Sequence, residues 1–150
     1  MEEFKAANLK QLTPTNNAEV KWRPQTQGWY KINVDGAVFV AQKEAGVGVI
    51  IRDEVGRVVA ALSKKIEAPL GALGIEAKAM EEAVIFARDM GISNIILESD
   101  SEIIINALSS NGNYPASISN VLQGVELLRR TFRRFAISHT KRKGNKAAHL

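Results

Sequence analysis

The chain has 150 residues, 45% of them hydrophobic and 24% charged, enough for one domain with a packed core and too few for two. It contains no cysteine, which excludes a disulfide framework and a thiolate zinc site, so any metal must be held by oxygen or imidazole. Apolar runs such as Val47 to Ile51 fall far short of a membrane span and no basic-then-apolar signal opens the chain, so beside a net charge of +4 the expectation is an intracellular, membrane-free protein and a monomer.

Residues 1–27 are polar, hold Pro14 and Pro24 and show no sustained period, as expected of a leader or linker, which leaves 28–150 for the domain. Trp29 to Val38 reads as a first strand, Val47 to Arg52 as a second and Arg57 to Lys65 as a third, with Asp53-Glu54-Val55-Gly56 as the turn between the last two. Together they predict an antiparallel meander. Gly46-Val47-Gly48 hints at a dinucleotide loop, but it leads into a strand where that motif requires a helix, so no such site is expected.

After Pro69 and Gly71, strong helix formers run from Ala72 to Met90 and stop at Gly91. Asn94 to Glu98 is a short apolar strand, Ser101 to Leu108 a helix, and Ser117 to Thr131 a longer helix beyond the turn-rich stretch ending at Pro115. Arg134 to His139 reads as a fifth strand. From Asn145 a last helix is expected, cut off after scarcely more than a turn.

Three carboxylates stand out. In Lys31-Ile32-Asn33-Val34-Asp35-Gly36-Ala37, apolar Ile32 and Val34 alternate with polar residues before Asp35 meets Gly36; Asp-Gly is also an ordinary turn signal. Glu76 lies on the apolar stripe of its helix with Met80, Ala83, Ala87 and Met90, although a position near the helix start also suits its dipole. Asp100 follows the apolar Ile95-Ile96-Leu97, where a helix start alone accounts for it. A crossover from the first strand through the helix to the fourth makes those strands parallel, so Asp35 and Asp100 come out at one sheet edge with Glu76 in reach. Oxygen-only ligation of that kind suits Mg²⁺ or Mn²⁺, and two such ions about 4 Å apart serve phosphodiester displacement.

From Ser117 to Leu150, eight basic residues face the single acid Glu126, a one-signed excess that points to a polyanion such as nucleic acid rather than to a plain solvated helix face. The residues of interest are Arg129, Arg130, Lys141, Arg142 and Lys143.

The segments "KINVDGA", "GIEAKAMEEAV", "ILESDS" and "KGNKAAHL", in this order and at these intervals, resemble the type I ribonuclease H fold, and more narrowly the reverse-transcriptase-associated domains that plant genomes carry in abundance. The resemblance covers Trp22 to Leu150. It implies an α/β domain with a five-stranded mixed sheet, three strands antiparallel and two parallel, and helices on both faces. It further implies a divalent-metal nuclease that cuts the RNA strand of an RNA/DNA hybrid, with Asp35, Glu76 and Asp100 as metal ligands. Gly36 and Ala37 would then lie against the hybrid, joined by the basic residues and Asn145. The family's fourth ligand is an aspartate four residues after an asparagine. Here that place falls to His149, a poorer match for Mg²⁺ than for Mn²⁺. His139, at the end of the fifth strand, is a possible proton shuttle, with a plain polar strand end as the simpler account. A non-catalytic nucleic-acid-binding module of the same fold is the alternative, which His149 favours and the three carboxylates oppose.

Overall fold

Alternation of Tyr30, Ile32 and Val34 with Lys31 and Asn33 sets the period of two that a half-buried strand requires. In the computed structural model, which describes residues 28–39, 44–67, 71–110 and 113–141, this segment is strand β1, Tyr30–Phe39. It pairs antiparallel with β2 (Glu44–Arg52), which pairs antiparallel with β3 (Val58–Ile66). β2 begins ahead of the apolar run at Val47 because the ladder carries on through Gly46 and buried Ala45. The β2–β3 turn closes as expected: the Asp53 N–H donates to the Arg57 carbonyl at 2.9 Å, and Gly56 takes a left-handed φ of 87°.

Helix α1 (Ala72–Asp89) follows from its alanine-rich composition and buries Ile75, Ala79, Met80, Ala83 and Ala87 on one side. Gly91 ends it with a φ of 81°, its N–H donating to the Arg88 carbonyl at 2.9 Å. β4 (Asn94–Ser99) then runs parallel to β1, and β5 (Arg134–His139) parallel to β4. Between them lie α2 (Glu102–Ser109) and α3 (Ser119–Arg129). The single helix expected over Ser117 to Thr131 is divided. A 3₁₀ turn, Ala116–Ile118, precedes α3, and at the other end the N–H groups of Thr131 and Phe132 bond back three residues, tightening the chain out of α geometry.

The five strands form one mixed sheet in the order β3-β2-β1-β4-β5, the fold class read from the sequence. Ile32, Val34, Ile95 and Leu97 point from its centre into one core shared with Ile75, Met80 and Ala83 of α1, Ile104 of α2 and Leu122 of α3. Each of these Val, Ile, Leu and Met side chains contributes about 1.5–3 kcal/mol on burial. The helix expected from Asn145 lies outside the described residues.

Because β1, β4 and β5 are parallel, the sheet has two distinct ends. Their carboxyl ends bring Asp35, Asp100 and His139 together, and their amino ends bring Trp29, Asn94 and Arg134 together. A six-residue strand separates the two by about 20 Å at roughly 3.3 Å per residue.

Candidate metal centre and nucleic-acid surface

Register builds the acidic end. Val34 of β1 is level with Ser99 of β4, so the next residues, Asp35 and Asp100, emerge side by side. Glu76 reaches them from the second turn of α1. One oxygen from each of the three carboxylates lies within 4.8 Å of those of the others, with Asp35 buried and the other two half-buried. Gly36 ties the strand to the helix: its N–H donates to Glu76 Oε1 at 2.8 Å. A Cβ at this position would sit 2.9 Å from the Ile75 carbonyl oxygen and 3.0 Å from Glu76 Oε1, so only glycine fits between strand and helix. This requirement comes from inside the protein and is additional to any approach of a ligand. Ala37 continues β1, its backbone paired with Gly46.

His139 closes the other side. It is level with Ser99 across the β4–β5 ladder, and its Nε2 lies 3.3 Å from the Asp100 carbonyl oxygen. A carbonyl only accepts, so the proton of that contact is on Nε2. The Thr140 N–H donates to the Ser99 carbonyl at 2.9 Å and continues the ladder past the strand end.

Sequence reasoning missed a second polar layer two residues down the same strands. Buried Asn33 donates from Nδ2 to Glu98 Oε1 at 3.0 Å and accepts from Arg52 Nη1 at 3.3 Å, linking β4, β1 and β2 beneath Asp35. The alternation Lys31, Asn33, Asp35 was the available signal, but the partners depend on strand register.

The basic residues divide between the two ends. Lys141, exposed, lies just beyond β5 at the acidic end. Arg129 and Arg130 close α3 at the opposite end, where Arg129 pairs with Glu126 at 3.3 Å and its guanidinium stacks 5.1 Å from the Phe135 ring centre. Arg142, Lys143, Asn145 and His149 lie outside the described residues.

A hard-oxygen donor set of three converging carboxylates fits a divalent cation of the Mg²⁺ or Mn²⁺ type. Comparison with known proteins agrees in fold. Residues 33–150 match the family model described as reverse transcriptase-like. Among solved structures, the chain is similar to RNase H1 from the halophilic archaeon Halobacterium salinarum, at 24% identity and a TM-score of 0.75, over 81% of this chain and 92% of that one. It is similar to the amino-terminal RNase H domain of a Mycobacterium tuberculosis protein, at 18% identity and a TM-score of 0.73, over 81% and 88%. It is also similar to LC11-RNase H1, isolated from compost and solved in complex with an RNA/DNA hybrid, at 19% identity and a TM-score of 0.71, over 80% and 91%. No curated protein sequence matches. With the sheet order, the acidic end and the matched residues in agreement, the chain belongs to the reverse transcriptase-like family and has the type I ribonuclease H fold.

Proposed function

We propose that the protein is a divalent-metal-dependent endonuclease that hydrolyses the RNA strand of RNA/DNA hybrids. The observation that carries this is the convergence of Asp35, Glu76 and Asp100 within 4.8 Å at the carboxyl ends of two parallel strands. Asp35, Glu76 and Asp100 are assigned as metal ligands. Mg²⁺ or Mn²⁺ held by them would supply positive charge for the attacking and leaving oxygens of the phosphodiester.

The chain's own groups have separate tasks. The Gly36 N–H fixes Glu76 through Oε1, which orients that carboxylate toward Asp35 and Asp100. His139, exposed beside Asp100, is assigned the proton that the leaving oxygen takes up, since an imidazole can both bind and release one. Lys141, with Arg142, Lys143 and Asn145 farther along the chain, is assigned to the phosphates beside the acidic end, where Gly36 and Ala37 border the hybrid. Residues 28–150 make up the catalytic domain, acting as a monomer, and residues 1–27 a leader.

His149 is assigned the fourth ligand place of the plant-type branch that the motifs resemble, and it biases the enzyme toward Mn²⁺. An oxygen donor there suits Mg²⁺ better, so His149→Asp should raise the Mg²⁺-supported rate. The alternative is a binding module of the same fold, favoured by that one residue. Cleavage of an end-labelled hybrid in Mg²⁺ and in Mn²⁺, beside binding of the same hybrid, separates the two. Divalent-dependent cleavage of the RNA strand is the expected result; tight binding with no cleavage in either ion would establish the alternative.

A further inference from the structure

At the end of the fold where β1, β4 and β5 begin lie four arginines from three elements: Arg88 near the end of α1, Arg130 and Arg133 after α3, and Arg134 opening β5. The end is tied across the sheet. Fully buried Asn94 donates from Nδ2 to the Gly28 carbonyl at 3.3 Å and accepts from Arg134 Nε at 3.3 Å, so one side chain of β4 joins the start of β1 to β5. The Arg134 guanidinium stacks 4.7 Å from the Trp29 ring centre, which orients a planar donor. Both the Arg133 and Arg134 N–H groups donate to the Ser93 carbonyl, which fixes this turn against the start of β4.

Acidic groups facing this end are few and mostly engaged. Glu126 pairs with Arg129, Asp53 with Arg57, and Glu54 accepts the Trp29 N–H at 3.0 Å. Asp89 adjoins Arg88. Arg88, Arg130 and Arg133 are exposed, and among the described residues none of them pairs with a carboxylate.

We infer that this arginine end is a second nucleic-acid contact, taking the phosphate backbone of the duplex whose scissile strand lies at the acidic end. Arginine suits phosphate through its planar fork of donors, and a one-signed excess that includes exposed Arg88, Arg130 and Arg133 is the electrostatic footprint of a polyanion. The span also fits. About 20 Å along the strands corresponds to roughly six base pairs at about 3.4 Å each, so one duplex can touch both ends. The choice of hybrid as ligand rests on the function proposed above, whereas the location of the contact rests on the arginines alone.

The test reads binding in chelator, where no cleavage intervenes, so its outcome is independent of whether the protein is a nuclease. A hybrid of about twenty base pairs is titrated against the parent and against Arg88→Gln/Arg130→Gln/Arg133→Gln over a range of salt, the duplex-DNA coefficient serving as the guide. For three lost phosphate contacts the slope of log K against log salt should flatten by up to about 2.7, and affinity at low salt should fall. Replacing Arg130 and Arg133 by Lys keeps the charge and should retain most of the slope, as a purely structural role would not. If the triple variant fails to fold by circular dichroism, Arg130→Gln/Arg133→Gln alone should flatten the slope by up to about 1.8. An unchanged slope and affinity in a folded variant overturns the assignment. So does loss of poly-glutamate binding with hybrid binding intact, which would make this end a dock for an acidic protein segment.

Discussion

At the carboxyl end of the parallel strands, Asp35, Glu76 and Asp100 crowd within 4.8 Å of one another, whereas at the amino end the arginines are spread over three elements, with Arg134 resting on Trp29 and Arg129 on Phe135. Like charges at such separations repel by an amount that grows as water is excluded, and Asp35 is only 6% exposed. The acidic end is therefore a site that a cation relieves. Dispersed guanidiniums, two of them stacked on aromatic rings, need no such relief. One sheet thus presents a compact carboxylate cluster and, about 20 Å away, a dispersed set of arginines.

Removing one charge from the crowded end should have the largest effect. Asp35→Asn should lower divalent-dependent cleavage on the order of a thousandfold, as several kcal/mol of transition-state stabilisation are lost. The same variant should be at least as heat-stable as the parent in chelator, since a repelling charge is gone. Added Mg²⁺ should raise the melting temperature of the parent and not of the variant, because only the parent binds it in the folded state. Calorimetry with and without the ion checks both points.

Gly36→Ala tests how tightly strand and helix are joined at that end. The new methyl meets the Ile75 carbonyl, which belongs to the backbone and cannot swing aside, so a loss of about 1–3 kcal/mol in denaturant titration is expected. Displacement of Glu76 should reduce cleavage as well. Stability equal to the parent would mean that α1 does not press on β1 there.

At the basic end, Asn94→Ala removes the tie between Gly28 and Arg134 and should cost about 1–3 kcal/mol by leaving a buried acceptor unsatisfied. Hybrid affinity should fall with it as Arg134 loosens. The two effects are read by denaturant titration and by binding in chelator.

The smallest effect belongs to the β2–β3 turn, also at the basic end. Burial alone would raise the Asp53 carboxyl, but the Arg57 backbone N–H, the Arg57 guanidinium and the Val55 N–H together hold it below the ordinary aspartate value. A depressed carboxyl contributes stability above the unfolded-state value and loses it as pH falls through the depressed one. Parent and Asp53→Asn should therefore differ slightly at neutral pH and converge in acid. A gap that persists in acid would contradict the assignment.

Much of the acidic end was legible in the sequence. Alternation ending at Asp35, a helix whose apolar stripe includes Glu76, and an apolar strand running into Asp100 are local signals, and the handed crossover converts them into proximity. The basic residues were harder. Counting charge from Ser117 to Leu150 treats them as one surface, yet Arg129 and Arg130 precede β5 while Lys141 follows it, and the length of that strand sets them apart. The Asn33–Glu98–Arg52 chain was illegible because it depends on register between three strands, which periodicity within one strand does not fix.

Asp35, Glu76 and Asp100 are proposed to hold a divalent ion. Crystals soaked in Mn²⁺ and measured at the manganese absorption edge test it most directly, because anomalous scattering locates the ion without regard to activity. An anomalous peak within bonding distance of all three carboxylates is the predicted result; a well-ordered acidic end with no peak among them would contradict it.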